Sequence, residues 1–109
     1  MDIVDFLLSR LEDEATESRK LLARSDLPLS DRWYEERLLR ECEAKLTLLE
    51  IIGAARRSTL ARLLLGGGEE DGQRPSELEW TTLALAALAE PYEEHDDFQD
   101  AWRLTRRAR

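Results

Sequence analysis

A single cysteine in 109 residues excludes any disulfide within the chain, and a single histidine beside it excludes a closed zinc site. The lone imidazole also excludes a catalytic triad that needs two. Aromatic residues are scarce at 6%, and methionine occurs once. No run of about 18 apolar residues exists, so no membrane span is expected. Met1 leads straight into Asp2, so no secretion signal is expected either. What the chain does have is 42% apolar and 37% charged residues. That apolar share is enough for a modest core and argues against wholesale disorder. The length suits one helical domain over 1–109, expected to be cytoplasmic.

The net charge of −8 is unevenly placed. Between Gly66 and Asp100 eleven acids stand against Arg74 alone. From Ala101 onward the balance reverses, with Arg103, Arg106, Arg107 and Arg109 and no acid. Arg56, Arg57 and Arg62 form a second basic group. Such asymmetry suits an electrostatic docking surface. It equally suits a solvated surface with cations at a helix C-terminus, the commoner origin of charge runs. Fourteen arginines against two lysines fit the coding bias of a GC-rich genome better than a binding role.

Apolar spacing predicts an all-α protein: a small bundle of three main helices and a short fourth, organised by a long second helix. The first helix, about 2–24, has its stripe at Val4, Leu7, Leu8, Leu11, Ala15 and Leu22, widened by Ile3 and Leu21; Phe6 lies off it. Pro28 disfavours helix at Leu27 and ends this element. Ser30 or Asp31 is placed to cap a second helix, about 31–65, roughly 50 Å long. Its stripe is Leu38, Leu39, Cys42, Leu46, Leu49, Gly53, Leu60, Leu63 and Leu64. Leu48, Ile51 and Ile52 spread apolar surface well beyond it, and Gly53 marks either a kink or a close backbone approach. Residues 66–74 are rich in glycine and acids and read as a flexible loop. Ser76 and Glu79 form a capping box for a third helix, about 76–90, stopped by Pro91. A fourth, about 96–106, places Phe98 and Trp102 four residues apart on one face. No strand and no internal repeat is evident.

Little here points to catalysis. His95, between Glu94 and Asp96, is either a general base or a turn histidine packed on Tyr92. Cys42 sits on the apolar stripe and reads as a small core residue rather than a reactive thiolate. Gly66-Gly67-Gly68 follows a helix and leads into acids, the reverse of what a phosphate-binding loop requires. Glu93, Glu94, Asp96, Asp97 and Asp100 lack the spacing and the turn glycine of a calcium loop. No catalytic residue, metal or cofactor is therefore assigned.

Several segments resemble a family of small actinobacterial and actinophage proteins of unknown function. The clearest spans Ala84 to Trp102, with Leu88, Ala89, Pro91, Tyr92, His95, Phe98 and Trp102 in the order of that family's closing motif. Arg37-Leu38-Leu39-Arg40-Glu41-Cys42-Glu43-Ala44-Lys45 and Val4-Asp5-Phe6-Leu7-Leu8-Ser9-Arg10-Leu11 resemble its central and opening helices. A Pro-Gly-Pro-Trp segment common in the family is replaced here by Leu27-Pro28-Leu29. The resemblance implies a bacterial or phage setting and no activity.

The functional expectation is a non-enzymatic accessory or regulatory factor that binds a protein partner. Tyr92, His95, Phe98, Trp102, Arg103 and Arg106 are the candidate partner-binding residues, since Tyr, Trp and Arg dominate binding hot spots. The same aromatics equally suit a latch that closes the bundle. A homodimer is expected through Leu48, Ile51, Ile52 and Gly53, pairing two long helices by a two-fold contact. The alternative is a nucleic-acid-associated factor using Arg56, Arg57, Arg62, Arg106, Arg107 and Arg109, against which the acidic balance weighs.

Overall fold

The structure, a computed structural model, describes residues 1–65 and 73–104, with side chains in the third helix from Leu78 on. Helix α1 is Ile3–Leu22, α2 is Leu29–Leu64 and α3 is Gln73–Ala89. Two single 3₁₀ turns follow, Glu90–Tyr92 and Asp100–Trp102, and the described residues contain no strand. The fold is all-α.

Helices α1 and α2 form an antiparallel hairpin. Ser18 donates to Glu35 at 2.9 Å and Cys42 lies 3.7 Å from Glu14, so positions run in opposite directions along the two axes. The turn is locked by Arg32, whose guanidinium donates to the carbonyls of Leu22 at 3.0 Å and Arg24 at 2.8 Å. These acceptors are left over at the C-terminus of α1, where a cation also meets the negative end of the helix dipole. Pro28, with ψ 153°, occupies the capping position of α2. The helix therefore starts at Leu29, ahead of the expected Ser30 or Asp31 cap, and Ser30 lies in its first turn.

Helix α2 is continuous through Gly53, so its second half does not fold back there. A Cβ built there would meet only the tip of Arg57, at 3.4 Å, and no backbone approaches closely. With 36 residues against 20 in α1, α2 outruns its partner. Ile3 packs near Ile52, so little of α1 remains to cover the far end of α2. Leu60, Leu63 and Leu64, expected in the stripe, are exposed for this reason. Helix α3 returns antiparallel along one flank of α2, with Trp80 and Thr81 beside Ala55–Arg62 and Leu85 and Ala89 at the level of Ile52 and Leu49.

The core lies where all three helices meet: Ile3, Phe6, Leu7, Leu11, Leu49, Ile52, Leu85 and Ala89. Two expectations are corrected here. Phe6, read as lying off the α1 stripe, is 1% exposed and central. Ile52, read as part of a surface patch, is 4% exposed, and Gly53 is buried beside it. Both follow from α3 and the segment after it, which cover the flanks that a single-stripe pattern leaves to solvent.

Two further boundaries differ from the sequence reading. Helix α3 begins at Gln73, three residues before Ser76, so Pro75 falls in its first turn, where proline is tolerated. The Ser76 side chain, and with it the capping box, lies outside the described residues, as does the loop 66–72. No helix spans 96–104. His95 Nδ1 accepts the backbone N–H of Asp97 at 3.0 Å, Gln99 is extended, and the Gln99 side chain donates to the Met1 carbonyl at 3.0 Å. These bonds hold the segment as a strap across the start of α1.

Candidate functional site

Tyr92, His95 and Phe98 are linked by successive three-residue turns, His95 N–H to Tyr92 at 2.9 Å and Phe98 N–H to His95 at 3.0 Å. A three-residue period stacks every third side chain on one side. That side faces Phe6. Tyr92, His95 and Phe98 meet the Phe6 ring edge-on at centroid distances of 6.0, 5.5 and 6.2 Å, and Trp102 lies tilted on it at 4.9 Å. Phe98 and Trp102 touch at 5.6 Å without sharing a helix. Arg103 sits 5.4 Å over Phe98 and is held by Asp100 at 3.1 Å and Glu93 at 3.6 Å. Of the candidate partner-binding residues, the structure thus gathers Tyr92, His95, Phe98 and Trp102 around one buried ring, with Arg103 over Phe98; Arg106 lies outside the described residues. The cluster closes the fold. His95 has one ring nitrogen committed to the backbone and its face against Phe6, a structural environment.

Sequence reasoning missed Phe6 as the hub. The available signal was a second seam on α1, Ile3-Phe6-Arg10-Glu14-Glu17-Leu21, displaced from the main stripe by about a quarter turn. Glu14 on this seam faces two weak acids. The Cys42 thiol donates to its carboxylate at 3.7 Å, and the Tyr92 phenol stands close enough to feel its charge. Burial, followed by the Glu14 charge, raises the pKa of both groups above its ordinary value. Cys42 is therefore held as the thiol, a hydrogen-bond donor, at neutral pH. Arg10, on the same seam, has a buried Nε without a hydrogen-bond partner while its Nη2 reaches Asp13 at 2.9 Å.

Among the described residues, Arg56, Arg57 and Arg62 do not form one basic patch. Arg56 and Arg57 line a cleft of about 340 Å³ whose other wall carries Asp2 and Asp5. Arg62 lies in a different cleft, against Trp80 and Thr81. Helical geometry separates it from Arg56 by about 120° around α2. Arg107 and Arg109 lie outside the described residues. Among the described residues no three of the His, Cys, Asp and Glu side chains converge as metal ligands would.

Residues 1–104 match the family of unknown function DUF6221. The chain belongs to the DUF6221 family. No curated protein and no solved structure matches it.

One surface of this DUF6221 chain stands apart from the closed core. Leu48 and Ile51 on α2 are 43% and 60% exposed, and Trp80 and Leu83 on α3 are 49% and 52% exposed. Trp80 borders Ala55, one turn beyond Ile51, and Leu83 follows Trp80 by one turn on the antiparallel helix. Leu48 and Ile51 thus stand exposed on α2, and Trp80 and Leu83 stand exposed on α3, which runs antiparallel beside it. No described helix is long and apolar enough to cross a membrane.

Proposed function

We propose that this DUF6221 chain is a non-catalytic helical binding protein that acts as an accessory or regulatory factor, and that it self-associates. The observation that supports this is the exposure of Leu48 and Ile51 on α2 and of Trp80 and Leu83 on the neighbouring α3. Large apolar side chains grouped on a rigid two-helix surface are costly to leave in water and favour a partner. A two-fold contact centred between Leu48 and Ile51 sets each of these residues against the other in the second copy. In that arrangement Trp80 and Leu83 of one copy flank the earlier turns of α2 in the other. Ile52 and Gly53 take no part, because they belong to the chain's own core. A cytoplasmic bacterial or phage setting is part of the proposal and rests on the resemblance of residues 4–11, 37–45 and 84–102 together with the composition of the chain.

Light scattering at micromolar concentration tests it. A mass near twice 12.6 kDa is expected, falling to 12.6 kDa for Ile51→Glu and for Leu83→Glu with helical circular dichroism unchanged. A wild-type mass of 12.6 kDa at every concentration rejects self-association.

A further inference from the structure

Along the hairpin, α3 and the strap cover only half of one groove. On α1 the second seam begins with Ile3 and Phe6, both buried under α3 and the aromatic strap, and Tyr92 reaches as far as Glu14. Beyond that point the seam continues with Glu17 and Leu21, and no described residue outside α1 and α2 lines the groove there. The open half is a cleft of about 380 Å³ with Leu21, Leu38 and Cys42 in its walls. Among the described residues, Glu14, Glu17 and Glu35 are the only ionisable ones besides Cys42 that line it, and all three are acids. Ser18 holds Glu35 in place at 2.9 Å, and the Cys42 thiol holds Glu14. Two of the three carboxylates are thereby fixed at the margin, and Glu17 is exposed beside them.

We propose that this open half of the α1–α2 groove docks a basic amphipathic helix of a partner protein, laid along the line that α3 occupies in the other half. The apolar walls continue the surface on which α3 packs, so a helix is the shape that fits. The carboxylate margin selects the charge: lysine or arginine flanking an apolar stripe pairs with Glu14, Glu17 and Glu35, whereas an acidic helix is repelled. The site lies on the opposite half of the hairpin from the α2–α3 self-association face and does not depend on it.

The probe is a fluorescein-labelled synthetic helix of leucine and lysine, titrated by anisotropy, beside the same design with glutamate for lysine. The leucine–lysine helix binds and the leucine–glutamate helix does not. Glu14→Gln/Glu17→Gln/Glu35→Gln weakens binding by about tenfold or more, as expected for lost charge pairing. The charge-matched control Glu12→Gln/Asp96→Asn/Asp97→Asn, at exposed positions elsewhere, leaves it within about twofold. Backbone amide shifts on binding concentrate at residues 14–21 and 35–42. Should the triple glutamine variant fail to fold, Glu17→Lys alone reproduces the loss. Equal weakening by both triple variants marks generic attraction to a chain of charge −8 and overturns the proposal. So does an absence of binding, or amide shifts centred on Leu48 and Ile51 instead.

Discussion

Phe6 carries more of this fold than its place in the sequence suggests. One ring, 1% exposed, meets four other aromatic rings drawn from the last fifteen described residues. Removing it leaves a cavity with partners on every side, and Phe6→Ala is expected to cost about 3–5 kcal/mol. Trp102 is only half-buried, so Trp102→Ala is expected to cost about 2 kcal/mol, a discount from full burial. Urea titrations of the two variants check the order. The Glu14 pair gives a pH signature. Tyr92 and Cys42 have folded-state pKa values raised above their ordinary 10.0 and 9.0, so the native state retains protons that the unfolded chain gives up. Their contribution is full below pH 9 and is lost as the pH rises above it. Thermal melts should show Tm falling above about pH 9. Tyr92→Phe should flatten the part of that fall above about pH 10, because it removes the titrating phenol.

At the scale of elements, α2 is an uninterrupted scaffold whose glycine serves no turn. Gly53 has helical geometry, and the nearest atom to an added Cβ is a flexible arginine tip at 3.4 Å. Gly53→Ala should therefore stabilise the protein by about 0.5–1 kcal/mol through reduced unfolded-state entropy. A shift of the urea midpoint at constant slope measures it; a loss of stability would mean that the Arg57 side chain has nowhere to move. The hairpin turn has a different logic. Arg32 ties the end of α1 to the start of α2 through two carbonyls, while Arg24 and Asp26 pair at 3.1 Å across the connection itself. The second pair is fully exposed and adds little.

The whole molecule is elongated, 60 × 31 × 27 Å, because one helix is nearly twice the length of the others. Its three-helix core is off-centre along that axis. Stability should accordingly be graded, with the slowest amide exchange at Leu7–Leu11, Leu49–Ile52 and Leu85–Ala89. Exchange should be fast in the last turn of α2, where Leu63 and Leu64 are exposed, and intermediate in the two-helix half around Glu35. Native-state hydrogen exchange reads this directly; uniform protection along α2 would show that a partner copy covers its ends. The same geometry separates the two proposed contact surfaces, one made by α2 with α3 and one by α2 with α1 beyond the reach of α3.

The all-α class, the hairpin break at Pro28 and the burial of Leu7, Leu11, Cys42 and Leu49 were legible in the sequence, because each depends on local backbone chemistry or on the strongest single stripe of a helix. The aromatic residues of the closing segment were also legible as a group, although their role as packing around Phe6 was not. What periodicity could not supply is the second neighbour. A helix touched on two sides has two stripes, and only α3 and the strap decide that Phe6 and Ile52 go inside while Leu60 and Ile51 stay out. The residues 96–104 read as helix because apolar residues recur every three to four positions. The backbone instead follows three-residue turns, fixed by His95 and by Gln99 reaching to Met1 across the whole chain. A hydrogen bond between residues 98 positions apart leaves no trace in local spacing.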